Sequence, residues 1–178
     1  KVKRGELPKF MDACRTLGIR YLSPTMPHKA DIIPLLDDVD ETSRIFNSVN
    51  AVYIDEKGIS HGIGFDGKGA ITALLDSDVY LNNKTAVILG TGGISGVIGY
   101  ELARNGVKKI ILINRTETRL KNIAGILSNN TNCEVVPMLL SPENLDIAAS
   151  EADIFLDCTP LGMAGYPHTH EYLGFVEK

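Results

Sequence analysis

The chain has 178 residues, 44% hydrophobic and 22% charged, with a formal net charge of −4. That is enough apolar material for one large core or two small ones. The acidic balance excludes nucleic acid as a main partner. No apolar run approaches the roughly 20 residues that cross a bilayer and no signal peptide is visible, so no membrane partner is expected. The three cysteines, Cys14, Cys133 and Cys158, are odd in number and widely spaced. They form neither a metal pattern nor a disulfide framework, and a reducing cytoplasm is the expected compartment. His168 and His170 sit in AGYPHTHEY with no third ligand nearby, so a loop is expected there and no metal.

Residues 7–17 place Phe10, Met11, Cys14 and Leu17 on one face of an expected helix, which Gly18 ends. Residues 19–23 form a short strand. Residues 23–29, SPTMPHK, form a rigid connection because Pro24 and Pro27 fix φ and remove donors. Residues 30–36 are expected to be helical despite Pro34, and the acid-rich residues 37–47 to form a surface helix. Residues 49–55 and 58–63 form a hairpin, and residues 66–77 a helix. Then come an apolar strand at 84–89, a helix at 94–105, a second apolar strand at 109–113, and a helix at 117–127 with Thr116 at its N-cap. A strand at 133–137, a helix at 142–149 capped by Ser141, and a strand at 153–156 follow. The second half thus alternates β and α, as a parallel sheet does. The polar LNNK stretch, residues 81–84, sets an expected boundary between domains 1–80 and 81–178.

The run GTGGISG, residues 90–96, lies between an apolar strand and an amphipathic helix, which is the setting of a dinucleotide loop. Gly90 permits the tight turn out of the strand. Gly92 and Gly93 let a pyrophosphate approach the amides at the helix start. The next strand ends in Asn114-Arg115-Thr116, with none of the acid that accepts from the ribose 2′-hydroxyl of NAD. Arg119 adds a cation to the first turn of the following helix, where it opposes the macrodipole unless an anion is bound. Arg115, Arg119 and the Thr116 hydroxyl suit a 2′-phosphate, so the expected cofactor is NADP(H). In the first half, Lys29, Asn50 and Asp66 form a coherent polar set on loops. An ammonium can protonate an alkoxide as it forms, a carboxylate can hold that ammonium, and an amide can bind a hydroxyl.

These segments resemble those of the shikimate dehydrogenase family. Its pattern of Thr-x-Pro-x-Lys, Ala/Ser-Val-Asn, Thr-Asp-Gly-x-Gly, Gly-x-Gly-Gly, Asn-Arg-Thr and Thr-Pro-Leu-Gly-Met is matched by Thr25 to Lys29, Ser48 to Asn50, Asp66 to Gly69 (without the Thr), Gly90 to Gly93, Asn114 to Thr116, and Thr159-Pro160-Leu161-Gly162-Met163. The resemblance implies an α/β architecture, with a Rossmann-type NADP-binding domain, an α/β substrate domain and the active site in the cleft between them. It implies Lys29 and Asp66 as the catalytic pair and Thr25 and Asn50 as ligands of substrate hydroxyls. Residues 159–163 would then lie along the nicotinamide side of the cofactor. The implied reaction is the reversible NADPH-dependent reduction of 3-dehydroshikimate to shikimate, in aromatic amino-acid biosynthesis. The implied partner is this small molecule, and a homodimer is left open.

Where the family has Asn-Thr before the catalytic Asp, this chain has Gly64-Phe65. Quinate, with relaxed specificity, is therefore an alternative substrate, and a non-catalytic NADP-binding sensor an alternative function. A folate-type dehydrogenase fits the Asn and Asp-Gly segments poorly. The family's N-terminal paired serines and C-terminal glutamine segment have no counterpart here. The chain is accordingly expected to be a fragment that binds NADPH weakly on its own and does not measurably oxidise shikimate.

Overall fold

The computed structural model describes residues 2–161 and 164. The chain divides into two compact units, Lys1–Gly69 and Ala70–Lys178. The division falls earlier than the boundary expected at the polar stretch. Residues 81–84 are woven into the second unit: Leu81 is buried, Asn83 N–H donates to the Gly106 carbonyl, and the Lys84 carbonyl accepts from Lys108 N–H.

In the first unit, α1 (Leu7–Thr16) buries Leu7, Met11 and Cys14, one helical stripe. Next come β1 (Tyr21–Leu22), α2 (His28–Asp31), β2 (Asp38–Val39), α3 (Glu41–Phe46), β3 (Ala51–Ile54), β4 (Ser60–Ile63) and α4 (Asp66–Asp76), the last continuing into the second unit. The strands form one sheet in the order β1-β3-β4-β2. Val49, Val52 and Ile54 pack with the α1 stripe, Ile32 and Val39 to make this unit's core.

Two expectations are corrected in this unit. Residues 30–36 are not one helix: α2 stops at Asp31 and a 3₁₀ turn, Ile33–Leu35, follows. Pro34 has no N–H with which to continue the α ladder. Residues 37–47 are not one helix either. Val39 is buried in a strand that pairs in parallel with β4, Asp38 opposite His61 and Val39 opposite Gly62. Asp40 then starts α3 by accepting a hydrogen bond from Ser43 N–H at 3.0 Å.

The second unit contains β5 (Thr85–Leu89), α5 (Ser95–Arg104), β6 (Lys109–Asn114), α6 (Glu117–Asn130), β7 (Glu134–Leu139), α7 (Pro142–Glu151) and β8 (Ile154–Asp157). All its strand pairs are parallel, in the order β7-β6-β5-β8. Every residue of β5 is buried, as expected of a strand covered on both faces. Gly99 brings α5 close to its neighbours, since a Cβ there would lie 3.0 Å from Leu127 Cδ1 and 3.4 Å from Ile88 Cδ1. The chain runs outward from β5 through β6 to β7, then returns to β8 on the other side of β5. That reversal is the Rossmann-type switch point, and ligands bind such sheets at the carboxyl end of the strands there. Ser141 caps α7 as expected, accepting from Asn144 N–H at 3.1 Å. Thr116 holds the N-cap position of α6, but its side chain makes no capping bond.

Candidate active site

Strand register gathers the polar residues of the first unit. Leu22 stands opposite Val52 and Ala51 opposite Ile63. Ser23, Asn50 and Gly64 therefore emerge at the same end of the sheet. Asn50 is held at three points: its N–H donates to the Ile63 carbonyl, its carbonyl accepts from Ser23 Oγ at 3.3 Å, and its Oδ1 accepts from Phe65 N–H at 2.8 Å. With Oδ1 so engaged, the amide offers its NH₂ to a ligand. Lys29 lies on α2, where its carbonyl accepts from Val49 N–H. Its Nζ donates to Asp66 Oδ2 at 2.5 Å. Asp66 is the first residue of α4, where the macrodipole favours a carboxylate. Both side chains are 26% exposed, sheltered yet within reach of a ligand. An ammonium has three donors, so this bond leaves two for a substrate oxygen. The Thr25 carbonyl accepts from His28 N–H. The Thr25 side chain is exposed.

In the second unit the β5–α5 loop has a different chemistry. Gly90 has φ +92°, and a Cβ there would come within 2.9 Å of Thr159 Cγ2. Glycine thus permits both the turn and the close passage of the Thr159 segment. That segment folds on itself: Thr159 N–H donates to Asp157 Oδ1 at 2.8 Å, and Leu161 N–H to Thr159 Oγ1 at 3.2 Å. Pro160 lies between them. Gly162 and Met163, like His168 and His170, lie outside the described residues.

Gly92 and Gly93 differ from Gly90. A Cβ on Gly93 would meet nothing within 4 Å, and one on Gly92 only the Cys158 carbonyl at 3.8 Å. The chain's own packing does not require glycine at either position, whereas a ligand drawn up against the backbone would. Ser95 Oγ fixes the loop by donating to the Gly92 carbonyl at 2.7 Å. Ile94, at the N-cap of α5, supplies no side-chain cap, which leaves the first-turn amides for an anion. These features fit the diphosphate of a dinucleotide.

At the end of β6, Asn114 Nδ2 donates to the Thr116 carbonyl at 3.1 Å. Arg115 and Arg119 are both exposed. Among the described residues, no carboxylate pairs with either guanidinium. The nearby acid, Glu117, pairs with Lys121 at 2.7 Å, and that hydrogen bond holds its carboxyl below the usual range. Two uncommitted cations at this strand end suit a phosphate. No cluster of three or more potential metal ligands occurs among the described residues, and no helix there is long and apolar enough to cross a membrane.

Ser23 and Ser95 were not apparent from sequence. Ser95 had a local signal, because a serine starting a helix commonly bonds nearby backbone. Ser23 bonds across strands and had none.

The two kinds of loop glycine predict opposite phenotypes. Gly93→Val should leave the melting temperature unchanged and sharply weaken dinucleotide binding. Gly90→Ala should instead destabilise the fold by roughly 1 kcal/mol or more, because alanine disfavours that φ. Thermal melts paired with cofactor titration separate the two. The thiols give a further test. Burial pushes Cys133 and Cys158 up to about 11, reinforced by Glu134 and Asp157 respectively. At pH 8 only about one such thiol in a thousand is ionised, so a thiol reagent should label the folded protein slowly and faster as pH rises. Rapid labelling of both at pH 8 would contradict the buried setting.

Comparison with known proteins gives the family. Residues 1–52 match the profile of the shikimate dehydrogenase substrate binding domain, and residues 73–161 that of shikimate / quinate 5-dehydrogenase. The chain is 36% identical over 167 residues to shikimate dehydrogenase (NADP(+)) of Alkaliphilus metalliredigens, covering 93% of this chain and 58% of that one. Shikimate 5-dehydrogenase of Listeria monocytogenes, solved with shikimate and NAD, aligns with a TM-score of 0.83 at 27% identity over 92% of this chain and 58% of that one. Quinate dehydrogenase of Corynebacterium glutamicum, solved with NAD, gives 0.81 at 27% identity over 94% and 60%. The chain spans 57–58% of the length of the first curated relatives it matches. With residues 1–52 and 73–161 matching its two profiles, this chain belongs to the shikimate / quinate 5-dehydrogenase family.

Proposed function

We propose that the protein is an NADP-dependent shikimate dehydrogenase of the cytoplasm, reversibly reducing 3-dehydroshikimate to shikimate. The observation that carries this reading is the Lys29–Asp66 hydrogen bond, in a chain that also holds the dinucleotide loop. Lys29 gives a proton to the oxygen that forms from the ring ketone, and Asp66 holds Lys29 in place. Asn50, through its NH₂, and Thr25 bind substrate hydroxyls. The first unit is then most of the substrate domain and the second most of the NADP-binding domain.

The bound nicotinamide would supply the hydride, and the protein supplies position and charge. The amides at Gly90, Gly92, Gly93 and the start of α5 would hold the diphosphate. Asn114, Arg115, Thr116 and Arg119 would hold the 2′-phosphate. Thr159, Pro160, Leu161, Gly162 and Met163 would line the nicotinamide side. The three free cysteines are consistent with a reducing compartment.

Quinate is the second reading, favoured by the exposed Phe65 before Asp66. Turnover of the intact protein with shikimate and with quinate, each with NADP⁺ and with NAD⁺, tests both. Shikimate with NADP⁺ should be the fastest pair. Turnover with neither acid would refute the dehydrogenase reading.

A further inference from the structure

An aromatic side chain, Phe65, immediately precedes Asp66. Phe65 is 51% exposed, yet its backbone is fixed. Its N–H donates to Asn50 Oδ1 at 2.8 Å, and its carbonyl accepts from Gly69 N–H at the start of α4. The Phe65 backbone thus lies between two groups of the proposed substrate site, bonded to Asn50 and next in the chain to Asp66. The preceding position, Gly64, carries no side chain of its own. A Cβ on Gly64 would lie 2.9 Å from Ser43 Oγ, and Ser43 is fully buried. Gly64 N–H is also tied to Asp40 Oδ2 at 3.4 Å, on the residue that caps α3. A side chain at position 64 would require the Ser43 hydroxyl to turn aside. Met26, on the turn that leads to Lys29, is a second exposed apolar side chain.

Resting on the dehydrogenase reading above, we infer that Phe65 is a specificity-determining residue. Its ring packs against the substrate beside Asp66 and offers no hydrogen bond to a ring hydroxyl placed there. A site that hydrogen-bonds a substrate hydroxyl rejects the analogue lacking it by about 10⁴–10⁵, whereas an apolar wall has no donor or acceptor to leave unpaired. This enzyme therefore tolerates loss of the hydroxyl that faces Phe65.

The test compares kcat/KM for shikimate with that for analogues lacking, in turn, each ring hydroxyl other than the one oxidised, using the intact protein, Phe65→Thr and Phe65→Leu. The unmodified protein should lose less than about tenfold with one of these analogues. Phe65→Thr, which restores a hydroxyl, should widen that ratio at least about tenfold, and Phe65→Leu should leave it unchanged. NADP⁺ affinity, measured by fluorescence, should be equal in all three and reports that the variants are folded. An unchanged ratio in Phe65→Thr overturns the role given to Phe65 while leaving the dehydrogenase reading intact. Absence of turnover by the unmodified protein with every alicyclic acid overturns both.

Discussion

Lys29→Ala in the intact protein is expected to lower kcat by about a hundredfold or more, the usual contribution of a positioned general acid or base. The only ion pair of Lys29 among the described residues is with Asp66, and its helix has just four residues. Removing the ammonium should therefore cost chemistry more than folding. Dinucleotide affinity should hardly change, because the β5–α5 loop belongs to the other compact unit. Asp66→Asn should fall in the same direction with a smaller loss, since the amide oxygen can still accept from Lys29. Near-normal turnover by Lys29→Ala would remove it as the proton donor.

The second large effect concerns cofactor choice. Arg115→Ala should weaken NADP⁺ binding by about ten- to a hundredfold and leave NAD⁺ binding unchanged. A hydrogen bond to a charged group contributes about 1.5–3 kcal/mol, and each 1.4 kcal/mol is about tenfold in affinity. The guanidinium is exposed and unpaired by any described carboxylate, so its removal breaks no ion pair among the described residues. Titration of both dinucleotides by fluorescence gives the answer directly. Equal losses for both would mean that Arg115 supports the loop and does not read the 2′-phosphate. The test matters because two solved relatives of similar fold hold NAD.

The β5–α5–β6 unit was legible because its signals are local and redundant. A fully buried strand is a continuous apolar run, the glycines follow it immediately, and Asn114-Arg115 closes the next strand. The first unit was less legible. Val39 forms a strand only by pairing with Gly62, and two residues are too few to show a period. Pro34 signalled trouble in its helix, but the sequence could not say that a 3₁₀ turn would take over. Lys29 and Asp66 meet across 37 positions of chain, a contact that no spacing rule reports. Residue chemistry groups them with Asn50 as one polar set, the family resemblance makes them a pair, and in the structure they are hydrogen-bonded. The bond from Phe65 N–H to Asn50 and the close approach of Ser43 to Gly64 were invisible for the same reason. Both depend on which strand ends the sheet brings together.

The central claim is that hydride passes from a bound nicotinamide to a ring ketone on this protein. The most direct measurement incubates the intact protein with 3-dehydroshikimate and NADPH carrying deuterium at its hydride position, and analyses the product by mass spectrometry. Shikimate bearing one carbon-bound deuterium is expected, and its formation should fall by about a hundredfold or more in Lys29→Ala. Unlabelled product, or none from the unmodified protein, would contradict the account.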